Sequence, residues 1–317
     1  MISSVALATA GLIVGLILLV KGADYFISSA EKIGRALHFS PFVIGVLLVG
    51  IGTSLPEFAS AIAALLAGNT DIIPANAIGS NIANILLVVG VLAVVGRRII
   101  IKQDLLASEL SLFAVSTVLF VSAAFDGVIT VIESVLLAAA FVIYLLYTIF
   151  GNHEEMPETA KYRAQQKRGP IKLRTIGVFF LGLAGVIVGA RILIDSTIYI
   201  SEMVGIATGV IALTLIALGT SLPELFVSLS AARKGHAEVA IGNIFGSNAF
   251  NILFAVGIPG LMTTLTLDEK TLTIGLPILV VASFIFVISG IARRIYRWEG
   301  LMFLIYYVFF TIKILGL

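Results

Sequence analysis

The hexapeptide Gly52-Thr53-Ser54-Leu55-Pro56-Glu57 recurs letter for letter as Gly219-Thr220-Ser221-Leu222-Pro223-Glu224. Both copies lie in otherwise apolar stretches, where a buried carboxylate costs roughly 2.5–3.5 kcal/mol to insert. Two such carboxylates, Glu57 and Glu224, each behind a helix-breaking proline, point to a cation site built from two matched halves. Pro56 lacks an amide hydrogen and collides with the carbonyl four residues back, so the helix is expected to kink or unwind near Gly52. Carbonyl oxygens freed between Gly50 and Thr53 are tolerated at membrane depth only where they line a cavity or bind something. Thr53 and Ser54, with Thr220 and Ser221 in the second copy, add hydroxyls. The donor set is all oxygen, which suits hard cations such as Ca²⁺ or Na⁺. A lone Pro-Glu pair would mean only a kink with a buried hydrogen bond; its duplication argues for ligation.

A second element repeats at the same interval. Gly79-Ser80-Asn81-Ile82-Ala83-Asn84-Ile85-Leu86 returns 167 positions later as Gly246-Ser247-Asn248-Ala249-Phe250-Asn251-Ile252-Leu253. Asn76, Ser80 and Asn84 are spaced i, i+4, i+8 and form one polar stripe on an apolar helix, and Asn243, Ser247 and Asn251 repeat it. Such residues also glue membrane helices together. Beside a carboxylate-bearing span in each half, they read as ligands. Asn81 and Asn248 face about 100° away and read as packing groups. The other charges read as structural: Lys21 and Asp24 as a pair or as snorkelling groups, Arg191 with Asp195 as a pair, and Glu109, Glu133 and Glu202 as solvated groups at span ends. Gly11, Gly15, Gly182, Gly185 and Gly189 read as packing or sliding surfaces.

These motifs need a membrane scaffold to hold them. The 317 residues are 59% hydrophobic and only 12% charged, with mean hydropathy +1.13, against about 25% charged in soluble domains. Apolar runs of about 20 residues follow one another, and ten spans are expected, near 5–29, 41–66, 75–95, 105–124, 128–150, 175–200, 209–232, 239–261, 272–291 and 300–316. The fold class is all-α membrane protein, with two inverted five-helix repeats and helices broken at the midplane. The units are 1–150, a linker at 151–174, and 175–317. Five spans per half is an odd number, so the second half enters the membrane upside down, as in secondary transporters. Loops after the odd-numbered spans hold 16 of the 20 Lys and Arg residues, so the linker is expected in the cytoplasm and both termini outside. The first apolar run has no basic residue before it and reads as a retained span. A net charge of +2 speaks against a nucleic-acid partner, and the absence of cysteine excludes disulfides and thiolate metal sites. No nucleophile–base pair or phosphate loop suggests an enzyme, and no cofactor is expected.

The chain resembles the sodium/calcium exchangers of the cation/calcium exchanger superfamily, through the G-T-S-L-P-E and G-S-N-x-x-N-I-L elements in both halves. Its short central segment resembles compact prokaryotic members. The resemblance implies a rigid core of spans two, three, seven and eight, across which spans one and six slide to alternate access. It implies Ca²⁺ held by Glu57 and Glu224 with the carbonyls of Thr53 and Thr220. Na⁺ positions would use Ser54, Ser80, Ser221 and Ser247, with carbonyls near Gly50 and Ala217, and Asn84 and Asn251 would complete the middle. Some members carry Asp where this chain has Asn251, and proton-coupled relatives also manage with two glutamates. The expected function is Na⁺/Ca²⁺ antiport by a monomer in the cell membrane; Ca²⁺/H⁺ exchange at the same site is the alternative, ahead of a passive cation channel.

Overall fold

The structure, a computed structural model, describes residues 2–96, 98–100, 103–150, 171–203, 221–292 and 294–316. In chain order the helices are α1 (Ile2–Ala36), α2 (Pro41–Thr53), α3 (Leu55–Leu66), α4 (Ile72–Val95), α5 (Gln103–Ala124) and α6 (Val131–Phe150). They continue with α7 (Leu173–Met203), α8 (Leu222–Arg233), α9 (Ala237–Gly260), α10 (Thr271–Ile291) and α11 (Arg297–Leu315). Among the described residues, seven helices are long and apolar enough to cross a membrane, or eight when the bent pair α2/α3 counts as one span. The difference from the ten expected falls on spans 105–124 and 209–232. Side chains of α5 are described only from Glu109 onward, and residues 204–220, which precede α8, lie outside the description.

Four short strands depart from the purely helical expectation. β1 (Arg98–Ile100) pairs antiparallel with β4 (Arg294–Tyr296), and β2 (Val128–Ile129) with β3 (Leu265–Thr266). A shift of 167 positions carries the start of β1 onto that of β3, and β2 into β4. Each ribbon therefore joins one strand from either side of the central segment, and the repeat exchanges one ribbon for the other. Interstrand hydrogen bonds satisfy backbone groups where the chain leaves the helices.

Two glycine seams bring helices into backbone contact. In the first, α1 and α7 form the most extensive helix pair. A Cβ placed on Gly182 would lie 2.5 Å from the amide nitrogen of Phe26, and one on Gly189 would lie 2.6 Å from that of Leu19. Gly11 meets Ser196 further along, so the two helices run antiparallel. Small residues permit this approach where no hydrophobic difference between helix and lipid drives association. In the second seam α2 and α9 run parallel, with Gly45 against Gly242 and Val46 against Gly246. Aromatic packing supports α9 from behind: the rings of Phe113, Phe245 and Phe286 have centroids 5.3–5.6 Å apart, in edge-on and tilted arrangements that favour such pairs.

Two expectations about charges need correction. Glu109, expected as a solvated group at a span end, is fully buried at 0% exposure, and neither carboxylate oxygen has a hydrogen-bond partner among the described residues. Its position on α5 turns it toward the interior near Tyr144, not out of the bundle end. Asp24 forms its salt bridge with Lys234 at 3.3 Å instead of with Lys21, and it also accepts a 2.6 Å hydrogen bond from Ser230. A partner from another helix reaches the carboxylate more directly than a side chain three residues away. Beside it, His236 Nε2 lies 2.7 Å from Glu31 Oε1, so α1 is tied twice to the α8–α9 turn region. The expected Arg191–Asp195 pair is present at 3.1 Å.

Candidate cation site

Pro56 and Pro223 sit in the first turns of α3 and α8, where a missing amide hydrogen costs least. The residues two positions before them, Ser54 and Ser221, adopt nearly the same backbone angles, φ −89°, ψ 4° and φ −91°, ψ 2°. At Ser54 the axis turns by 40° between α2 and α3. The kink thus falls two residues after Gly52. The break points the carbonyl end of α2 and the amide end of α3 at the same spot. Partial negative charge from the first favours a cation there, and partial positive charge from the second favours the carboxylate of Glu57. Glu57 and Glu224 occupy equivalent places in their helices.

The sequence carries no sign of the π-helical turns. They occupy Ile44–Gly50 in α2, Ala83–Val88 in α4, Phe250–Ala255 in α9 and Thr271–Gly275 in α10. Those of α4 and α9 are again 167 positions apart, and each holds a candidate-site asparagine, Asn84 or Asn251, at its second residue. A π-turn widens the helix locally and loosens the backbone ladder, and such turns concentrate at functional sites.

Glu57 and Glu224 are 2% and 1% exposed, and their charges lie within electrostatic reach of each other. Ser54 Oγ donates to Glu224 Oε1 at 3.2 Å, so the two copies of the hexapeptide touch. Thr53 Oγ1 donates to Asn243 Oδ1 at 3.2 Å, and Ser247 Oγ to the Gly50 carbonyl at 3.2 Å. Asn243 in turn donates to Ser228 Oγ at 2.7 Å and to the Glu224 carbonyl at 3.3 Å. Asn81 donates to the Asn248 carbonyl at 3.0 Å, the packing role expected of that pair. Asn243, seen in the sequence only as one end of a stripe, is the hub of this network. Ser228, one turn beyond Glu224, carried no sequence signal of its own.

Other buried polar atoms at this spot have no hydrogen-bond partner among the described residues. They are both carboxylate oxygens of Glu57, Oε2 of Glu224, the hydroxyls of Ser80 and Ser221, and the side-chain amides of Asn84 and Asn251. Desolvated polar groups of this kind cost free energy unless they are paired. They offer mainly oxygen to anything that would pair them, a donor set matched to hard cations. Of the ten expected ligand residues, nine are described and buried: Thr53, Ser54, Glu57, Ser80, Asn84, Ser221, Glu224, Ser247 and Asn251. Thr220 lies outside the described residues, as do Gly219 and Ala217.

Residues 7–150 and 174–315 match the family model for sodium/calcium exchanger proteins. The chain belongs to the sodium/calcium exchanger family. Among relatives, it is 34% identical to the sodium/calcium exchanger MaX1 of Methanosarcina acetivorans over 339 residues, covering 95% of this chain and 96% of that one. It is 35% identical to the inner membrane protein YrbG of Escherichia coli over 285 residues, covering 88% and 87%. A solved structure of the sodium-calcium exchanger NCX_Mj matches with a TM-score of 0.81 and 33% identity over 96% of this chain and 97% of that chain. Membership of this exchanger family and the helical architecture agree in making the chain a multi-pass membrane protein.

Proposed function

We propose that the chain is a secondary antiporter that exchanges Na⁺ for Ca²⁺ by alternating access. Ca²⁺ is held by Glu57 and Glu224 with the carbonyls of Thr53 and Thr220. Na⁺ ions take flanking positions at Ser54, Ser80, Ser221 and Ser247, and Asn84 and Asn251 complete the middle. The observation that carries this reading is the convergence of two buried carboxylates from the two hexapeptide copies, bridged by the Ser54–Glu224 hydrogen bond. One Ca²⁺, two Na⁺ or two protons each neutralise that pair. Leaving both carboxylates bare in a desolvated site is strongly unfavourable, so an empty carrier resists reorientation and the two fluxes are coupled.

The reading extends to ten spans in two inverted halves, 1–150 and 175–317, joined by a cytoplasmic linker at 151–174. The antiparallel course of α1 and α7, and the exchange of the two ribbons under the repeat, support that inversion. Both termini then face outside the cell membrane, and one chain contains a whole site, so a monomer suffices. Sliding of α1 and α7 along their glycine seam would open the site to each side in turn.

The test is ⁴⁵Ca²⁺ uptake into proteoliposomes with Na⁺ and pH gradients imposed separately. Uptake driven by outward Na⁺ and lost in Glu57→Gln is the expected result. Uptake that follows only the pH gradient would replace Na⁺ by H⁺ as the coupling ion. Unchanged Na⁺-driven uptake in Glu57→Gln would overturn the ligand assignment.

A further inference from the structure

Where α10 meets α11, a mostly apolar groove of about 460 Å³ is lined by Ile285, Ile288, Ser289, Trp298, Glu299, Met302 and Phe303. Its outer wall is open to the surroundings of the protein: Trp298 is 76% exposed and Met302 67%. β4 connects the two helices at the groove's end, carrying Arg294, and Arg297 begins α11. Both arginines are exposed, and neither forms an ion pair among the described residues. Glu299, the acidic residue beside them, accepts a 2.6 Å hydrogen bond from the Tyr296 amide and is thereby committed to starting the helix. The ribbon also brings Arg98 opposite Tyr296, and Arg97, Lys102 and Arg293 adjoin the two strands in sequence.

The combination has a definite chemical complement. Trp at a span end marks the membrane–water interface, so the groove runs from there into the hydrocarbon layer. Its walls suit an acyl chain, and the volume lies within the range of ligand sites. Guanidinium groups at the interface suit a phosphate, and their fork geometry favours it over a point contact. We propose that this is a binding site for an anionic phospholipid, with its phosphate held by Arg294 and Arg297 and one acyl chain lying against Trp298 and Met302. A zwitterionic lipid offers the same tail without net negative charge. The preference for the anionic lipid should be about fivefold for each arginine engaged.

Trp298 is the chain's single tryptophan, so its fluorescence reports this groove directly. In the full chain reconstituted into vesicles, brominated phosphatidylglycerol and brominated phosphatidylcholine are titrated separately as quenchers. The expected result is at least fivefold stronger binding of the anionic lipid at low salt, falling toward parity at about 1 M NaCl as screening takes over. In the double variant Arg294→Gln/Arg297→Gln the preference should collapse, with quenching by brominated phosphatidylcholine unchanged as proof that Trp298 keeps its place. Equal quenching by the two lipids in the parent chain would overturn the proposal. So would a preference that survives high salt or the double substitution. The readout needs no transport, so it stands or falls separately from the exchange reading.

Discussion

Gly246→Ala tests the site through its packing, without touching a ligand. A Cβ at this position would lie 2.5 Å from the carbonyl oxygen of Val46 and 2.8 Å from its Cα. Both are backbone atoms, so no rotamer change can relieve the clash. Ordinary contact begins near 3.4 Å, so α2 and α9 must part by roughly the 0.9 Å between 2.5 and 3.4 Å. The hydrogen bonds Thr53–Asn243 and Ser247–Gly50, each 3.2 Å, cross that seam and would stretch beyond bonding distance. Two buried hydrogen bonds at about 1 kcal/mol each give about 2 kcal/mol, or roughly 30-fold in ion affinity. Overpacking adds about 1–3 kcal/mol of lost stability. The assay is the apparent KM for Ca²⁺ in Na⁺-loaded proteoliposomes, together with a melting curve in detergent. Gly185→Ala is the control, because its Cβ would meet its nearest neighbour at 3.4 Å and should change neither quantity. Parent-like affinity and melting in Gly246→Ala would refute the claim that backbone contact between α2 and α9 sets the site geometry.

Further outcomes follow from other contacts. Ser54→Ala removes the donor to Glu224 and should weaken Ca²⁺ transport affinity about 10- to 100-fold, the range for a hydrogen bond to a charged group; an unchanged KM would count against the bridge. Asp268 accepts hydrogen bonds from the amides of Lys270 and Thr271 at 3.0 and 3.1 Å. Partial burial pushes its carboxyl up, but the bonds from Thr271 and Lys270 outweigh that and hold it below the usual 3.8. Because the folded pKa is depressed, the stabilisation is present above the unfolded value and fades as pH falls through the folded one. Asp268→Asn keeps an oxygen for the two amides but loses the negative charge at the start of α10, so it should lower stability at pH 6 by up to about 1 kcal/mol, and the gap to the parent should close below about pH 3.8. A gap that persists there would contradict the assignment. Glu109→Leu replaces a buried carboxyl without a hydrogen-bond partner among the described residues and should raise stability by about 1–3 kcal/mol; a lower Tm would mean that the carboxyl is held by something.

Much of the candidate site was legible because duplication writes each residue twice. Glu57 and Glu224 stand out against apolar surroundings, and the constant offset pairs Ser80 with Ser247 and Asn84 with Asn251 before any coordinates are known. The position of the kink was off by two residues, because Pro56 relaxes its strain at Ser54 instead of at the glycine upstream. The π-turns left no mark in the hydrophobic pattern: one extra residue in a turn shifts the phase within a helix that is apolar on most faces. The Ser54–Glu224 bond and the Asn243 hub join segments 170 and 190 positions apart, and periodicity within one helix carries no information about that. Glu109 was misplaced for a related reason. Distance from a span end sets depth along the membrane normal, whereas burial depends on which face of α5 the residue occupies and what packs there.

The two ribbons carry a lesson about how such a chain assembles. Each takes one strand from either half, and the repeat swaps them, so neither half can close a ribbon alone. On the proposed division into 1–150 and 175–317, two free copies of one half could form the same pair of ribbons by twofold symmetry, as an isologous dimer does. The covalent link between the halves would then raise the effective concentration of one near the other. Halves made as separate polypeptides should consequently find each other in the bilayer and knit both ribbons without the covalent link.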